Sequence, residues 1–251
     1  MIFLYSSQAK NPEILLDKSD ENFLYLTKVK RSAVGDTIVL SNLEDEILYT
    51  YKFSEISKRE IVLEKIGEKT SDSFSVETNC NSSLHIIWGI CDFKTLSKTL
   101  PFLNEMGVEK ITFLACERTQ GNFMSQLEKN ISSKLQKILE QSCQQCGRNS
   151  RMILEISGFS DLKKNISLVC NTTREENIYI CDFPAKKVFP ENILKNPSTK
   201  NTIIIGPEGG FSPDEKTYFQ ENFPENIYQF NTNNVLRSET AVSGIVGKFL
   251  L

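Results

Sequence analysis

Thr202-Ile203-Ile204-Ile205-Gly206-Pro207-Glu208-Gly209-Gly210-Phe211-Ser212-Pro213 is the stretch on which the fold turns. Its first four residues are β-branched, as in a strand buried on both faces. Ser212, Pro213, Asp214 and Glu215 read as a helix start, with an N-cap hydroxyl, a proline in the first turn and acids beside the positive end of the dipole. Between strand and helix, Gly206, Gly209 and Gly210 let the backbone approach a ligand closely. Strand, glycine-rich turn and helix form one step of an α/β sheet, and such sheets bind ligands beyond the carboxyl ends of their strands.

Three readings of this loop stay open on its own residues: a structural turn, a phosphate cradle, or a site for a neutral or cationic ligand such as S-adenosylmethionine. Glu208, Asp214 and Glu215 surround the place a phosphate would take, and no P-loop Lys-Ser/Thr pair follows, so the phosphate reading is disfavoured.

Upstream, the same texture runs back to Leu84. Apolar strands at Leu84–Cys91, Ile111–Cys116, Ile153–Ile156 and Ile178–Cys181 precede Thr202–Ile205, and Ile227–Phe230 follows it. Leu127, Ile131, Leu135, Ile138, Leu139 and Cys143 repeat at helical spacing, with Gly147 as a left-handed cap. A second helix leads to Met106-Gly107, where Pro101 marks a kink or a late start. The last segment carries Val242, Ile245, Val246, Phe249 and Leu250 on a helix with Ser238 as N-cap. Thr240, Gly244, Gly247 and Leu251 form a stripe that suits close approach of another backbone.

The first seventy residues read differently. Phe23–Val29, Thr37–Leu40, Ile47–Phe53 and Ile61–Ile66 are short strands separated by turns such as Val34-Gly35-Asp36 and Asn42–Asp45, which suggests a small β-barrel. The organisation is therefore a barrel over 1–72, a polar linker over 73–83 and an α/β domain over 84–251.

Composition removes several classes of function. The only histidine, His85, lies in an apolar strand, so mechanisms needing a His pair or a multi-His metal site are out. Cys143-x-x-Cys146 has no second pair to complete a zinc site and reads as two buried small residues on a helix. Seven cysteines without a targeting segment fit reduced thiols in a cytoplasm, and no early apolar run is long enough for a membrane span. Net charge is −3, with 10 Lys+Arg against 13 Asp+Glu in residues 1–72 and 19 against 19 in the rest, so the chain is not a nonspecific nucleic-acid coat.

Ile203–Ser212 together with Val235-Leu236-Arg237-Ser238-Glu239-Thr240-Ala241 resembles the paired C-terminal motifs of the RsmE-type 16S rRNA (uracil-N3)-methyltransferases of the SPOUT superfamily. Asn104-Glu105-Met106-Gly107-Val108, Glu117-Arg118-Thr119 and Cys143–Asn149 are similar to three further motifs of that family. The chain departs from the pattern at Gln144, at Asn231-Thr232-Asn233-Asn234, and before Glu105, where the usual lysine is replaced by Phe102 or displaced to Lys98 or Lys94. The resemblance implies a SPOUT-like, trefoil-knotted, mainly parallel α/β sheet with helices on both faces, preceded by a PUA-like barrel that binds RNA. It implies a cytoplasmic homodimer that transfers a methyl group from S-adenosylmethionine to N3 of a uridine near the decoding site of small-subunit rRNA, giving 3-methyluridine, without metal or membrane.

The site residues that follow from the resemblance fall into three groups. Ile180, Cys181, Gly206, Pro207, Glu208, Gly209, Gly210, Phe230, Thr232 and Leu236 are expected around the cofactor. Arg237 is expected to stabilise the uracil anion, with Arg148 second, and Glu239 or Glu208 to accept the N3 proton. Lys28, Lys30, Arg31, Arg118 and Arg148 are expected to contact RNA. Rival classes are an RNA-binding protein of this fold without catalysis, a methyltransferase for another base, and a nucleotide-phosphate enzyme.

Overall fold

The computed structural model describes residues 3–70, 83–164, 176–189 and 200–250, which fall into two compact units. One holds residues up to Glu77 together with Glu140–Arg151, and the other holds Thr78–Leu139 and Met152–Leu251. The expected linker at 73–83 lies outside the described residues except for Ser83, and so does Leu251.

In the first unit, β1 (Leu4–Tyr5), β2 (Glu13–Asp17), β3 (Thr37–Ser41), β4 (Ile47–Ile56) and β5 (Glu60–Thr70) form a sheet in the order β1-β3-β4-β5-β2. Register shifts at Thr50/Tyr51 and Phe53/Glu55 bend the long β4–β5 ribbon. Ile14, Leu16, Tyr49, Tyr51, Phe53, Ile61 and Leu63 line its buried face. The segment Phe23–Val29, expected as a strand, is helical: α1 (Glu21–Leu24) continues into a π turn at Tyr25–Val29. Asp20 caps it by accepting the Asn22 N–H at 2.8 Å, and Phe23 and Leu26, three residues apart, are the ones buried. That spacing outweighs the aromatic and β-branched composition that suggested a strand. Lys28, Lys30 and Arg31 thus lie exposed at a helix end, not a strand end, and Arg31 takes φ +54 there.

The sequence also places 140–151 with the α/β half, whereas these residues pack in the first unit. Gln144 Oε1 accepts the Tyr5 N–H at 3.1 Å, the Ser41 hydroxyl bonds Asn149, and Arg151 Nη2 donates to the Tyr5 hydroxyl at 2.6 Å. A glutamine at 144 supplies the acceptor that position needs. Cys143 is buried beside Phe3, Leu43 and Leu48, but Cys146 is exposed, so the two thiols are not both core residues.

The second unit is a seven-stranded sheet in the order β10-β12-β9-β11-β6-β7-β8, with every neighbouring pair parallel. Its strands are β6 (Leu84–Gly89), β7 (Lys110–Ala115), β8 (Ile153–Gly158), β9 (Glu176–Cys181), β10 (Lys187–Val188), β11 (Lys200–Ile205) and β12 (Ile227–Gln229). Leu84, Ile86, Trp88, Ile203 and Ile205 face one core, whereas Ile87, Ile178, Ile180 and Ile204 face the other. Helices cover both: α2 (Phe93–Glu105), α3 (Gly121–Asn130), α4 (Gln136–Cys146) and α6 (Ser238–Leu250) contribute to the first core, and α5 (Pro213–Asn222) to the second. Asp92 caps α2, which starts well before Pro101 and runs through it, so the proline is not a late start. Gly147 has φ +87 and its N–H reaches Cys143 O at 2.8 Å, closing α4 as its position predicts.

On α6, Ala241, Val242, Ile245, Val246 and Phe249 are buried, worth about 1.5–3 kcal/mol for each of the larger ones. Thr240 and Gly244 face outward; a Cβ on Gly244 would meet only the Phe230 ring at 3.4 Å, and one on Gly247 nothing within 4 Å. Within this chain the glycines are thus not required by another backbone. His85 bonds Thr112 across β6 and β7, and burial with Lys110 nearby lowers its pKa to about 4, so it is a neutral structural residue. No helix among the described residues is long and apolar enough to cross a membrane, and no group of His, Cys, Asp and Glu among them could hold a metal.

Candidate functional site

The carboxyl ends of the adjacent strands β12, β9 and β11 open together, and the chain leaving them builds a cleft of about 280 Å³ in the second unit. Gly206, Pro207, Glu208, Gly209 and Gly210 form one wall; Cys181, Asp182 and Phe183 come from the end of β9; Phe230, Thr232, Asn234, Val235 and Leu236 follow β12. This is where the topology of a parallel sheet puts a ligand.

Two glycines explain the shape of the loop. A Cβ on Gly89, the last residue of β6, would sit 2.2 Å from Pro207 N and 2.6 Å from Gly206 C, so only glycine lets the loop cross the end of β6. Gly210 has φ +67, and its N–H closes a turn onto Pro207 O at 2.8 Å. The loop is also tied from below. Trp88 Nε1 donates to Ser238 Oγ, and that hydroxyl donates to Gly206 O at 3.2 Å. Ser238, expected as an N-cap, is instead the first residue of α6, and Arg237 O accepts the Ala241 N–H at 2.9 Å.

The amino end of α5 decides what the loop can hold. Ser212 Oγ accepts the Glu215 N–H at 3.3 Å while Glu215 Oε2 accepts the Ser212 N–H at 2.8 Å, a closed capping box. Glu215 Oε1 also accepts the Glu117 N–H at 2.8 Å, and Pro213 has no N–H to offer. A phosphate cradle needs free N–H groups at such a helix end, and here most are already bonded. The ring of carboxylates inferred from sequence is not present: Glu215 points into its caps, Asp214 is outside the cleft lining, and Glu208 alone of the three lines it. Glu215→Ala should strand the buried Ser212 N–H and lower stability by roughly 1–3 kcal/mol, with a smaller loss from the partly buried Glu117 N–H, read as a shift in chemical denaturation midpoint. An unchanged midpoint would show the box to be dispensable.

Electrostatically the cleft is mixed. Asp182 and Lys216 pair inside it at 2.8 Å, and Arg118 Nη1 donates to Gly209 O at 2.9 Å. Arg118, expected at RNA, therefore buttresses the loop. Burial and the neighbouring Asp182 push the Cys181 thiol up to about 12, so it is a neutral wall and not a nucleophile.

Other expected residues lie elsewhere. Ile180 is fully buried in the core beneath α5, because alternation along β9 turns it away from Cys181 and the cleft. Arg237 is outside the lining: its side chain is 85% exposed and reaches Glu239 at only 3.9 Å, although Leu236 and Ser238 on either side both line the cleft. Glu239 also stays outside the lining, with Oε2 buried and without a bonding partner. Arg148 belongs to the first unit, as do Lys28, Lys30 and Arg31. Sequence reasoning missed Gly89, Asp182, Phe183 and Lys216. Gly89 ends an apolar strand, which is a readable signal for a close crossing; the other three are marked only by position after a strand or in a helix.

The chain matches the family model described as an RNA methyltransferase domain over residues 78–248 and that of an RNA methyltransferase PUA domain over residues 19–66. It is 33% identical over 244 residues to a Ribosomal RNA small subunit methyltransferase E of Helicobacter pylori, covering 96% of each chain. A Buchnera aphidicola protein of the same name is 29% identical, over 89% of this chain and 82% of its own. Among solved structures, a methyltransferase E from Neisseria gonorrhoeae bound to S-adenosyl methionine is similar at TM-score 0.70 and 22% identity, over 98% of this chain and 95% of that one. A Legionella pneumophila protein described as a methyltransferase with bound SAM has TM-score 0.74 at 23% identity, over the same shares. These likenesses place the fold among RNA methyltransferases with a PUA-type first domain.

Proposed function

This chain belongs to the RNA methyltransferase family of the small-subunit methyltransferase E type, and from that premise we propose that it methylates N3 of a uridine near the decoding site of small-subunit rRNA. The observation that carries the cofactor assignment is the cleft beyond β9, β11 and β12, where the Ser212 and Glu215 N–H groups of the helix end are bonded internally and so do not invite phosphate. The residues present fit S-adenosylmethionine. Phe183, Phe230 and Leu236 offer apolar walls for an adenine, the 206–210 loop offers backbone groups, and Glu208 puts a carboxylate near a cationic ligand. When bound, that cofactor supplies an electrophilic methyl group on positive sulfur.

The chain's own residues have the remaining work. N3 of uracil is protonated at neutral pH, so the proton has to leave and the resulting anion has to be stabilised. Arg237, at the rim beside Leu236 and Ser238, is the cation proposed to face the uracil oxygens. Glu239 follows it on the first turn of α6 and Glu208 lines the cleft; one of these carboxylates accepts the proton. N3 is on the pairing edge, so the uridine must be unpaired or flipped out. The exposed Lys28, Lys30 and Arg31 of the first unit supply the phosphate contacts that hold the RNA. Arg148, also in that unit, is proposed as a further RNA contact. A cytoplasmic homodimer is the assembly proposed for this activity.

Nucleosides of small-subunit rRNA from cells lacking this protein should show loss of 3-methyluridine by mass spectrometry and its return on complementation. Retention of that nucleoside in full would reject the assigned product.

A further inference from the structure

We propose that Asp182 and Lys216 are the subsite for the amino-acid end of the cofactor, with Asp182 facing its α-ammonium and Lys216 its α-carboxylate. The inference rests on the methyltransferase reading and adds to it the part of the ligand that this pair recognises.

Lys216 Nζ lies 2.9 Å from one oxygen of Asp182 and 2.8 Å from the other. The side chains are 33% and 19% exposed, and both line the cleft. They come from different elements, the end of β9 and the first turns of α5, and each backbone is fixed. The Asp182 N–H donates to Tyr228 O at 3.1 Å, and the Lys216 N–H to Ser212 O at 2.9 Å. The pair is therefore a plus-minus couple on anchored backbone, inside a site that Phe183 and Phe230 also line.

A lone charge entering such a place would leave one member of the couple uncompensated, which is costly out of water. A zwitterion does not. An α-amino acid carries one cation and one anion on a single carbon, so it can take the place of each partner's counter-ion without adding net charge. Of the other charged groups in the lining, Arg118 bonds Gly209 O and Glu208 belongs to the 206–210 loop. The couple thus distinguishes a nucleoside bearing an amino-acid arm from the same nucleoside without it.

Calorimetric titration of the purified full-length protein tests this. Wild type should bind S-adenosylhomocysteine roughly 10- to 100-fold more tightly than 5′-methylthioadenosine, which lacks the arm, the range expected for charge-assisted hydrogen bonds. Decarboxylated S-adenosylmethionine should bind more weakly than the intact cofactor. In Lys216→Met the preference for the arm should collapse, and in Lys216→Arg it should persist. Equal wild-type affinities for the two thioethers overturn the proposal without any variant, and so does a preference that survives in a folded Lys216→Met. Failure of wild type to bind S-adenosylmethionine at all would instead reject the cofactor assignment.

Discussion

Arg237→Ala should reduce methyl transfer by at least about 100-fold while leaving S-adenosylmethionine affinity within a factor of about two, the loss seen when one preorganised donor to a developing anion is removed. The structure separates the two effects. The Arg237 side chain is 85% exposed, touches only Glu239 at 3.9 Å, and is not part of the cleft wall. Its carbonyl, which receives the Ala241 N–H in the first turn of α6, stays in place in an alanine variant. Truncation therefore removes a cation from the rim without disturbing the walls. Single-turnover methylation of small subunits, paired with calorimetry, reads both quantities. A variant with wild-type turnover would take Arg237 out of the mechanism, and one that loses cofactor affinity would make it a binding residue.

Gly89→Ala should cost the protein its cofactor. The added carbon would lie 2.2 Å from Pro207 N and 2.6 Å from both Gly206 C and Pro207 Cδ, and these are backbone and ring atoms that cannot swing away. The loop must shift, at about 1–3 kcal/mol for forced overpacking. That shift also strains the bond from Ser238 Oγ to Gly206 O, since Ser238 is held by Trp88. We expect at least a roughly tenfold loss of S-adenosylmethionine affinity and a lower thermal midpoint. Gly121→Ala, with nothing within 4 Å, is the matching control and should change neither. Wild-type affinity in Gly89→Ala would mean that the 206–210 loop does not shape the binding site.

The parts of the fold legible in the sequence were those with one dominant signal. β11 is three isoleucines before a glycine loop, and the capping box at Ser212 and Glu215 is written in the residue types. At Phe23–Val29 composition and period disagree: the residues favour a strand, but burial of Phe23 and Leu26 demands a turn of helix. The return of 140–151 to the first unit depends on partners far along the chain, Tyr5 and Ser41, which no local pattern discloses.

The site shows the same division. The 206–210 loop and the 230–236 segment were found because glycines and a motif mark them, and both line the cleft. By residue type three carboxylates oppose phosphate, whereas the physical obstacle is that the Ser212 and Glu215 N–H groups at the helix end are already bonded in the capping box. Asp182 and Lys216 carry no sequence signal. Their meaning arises only when the end of β9 and the second turn of α5 meet.

The account depends most on the chemistry assigned to the cleft, and one reconstitution tests that directly. Purified protein, S-adenosylmethionine and small ribosomal subunits isolated without the modification are combined, and the digested rRNA is analysed by nucleoside mass spectrometry. 3-Methyluridine should appear in proportion to enzyme and form at least about 100-fold more slowly with Arg237→Ala. Methylation of another base, or none by a protein that binds the cofactor, would contradict it.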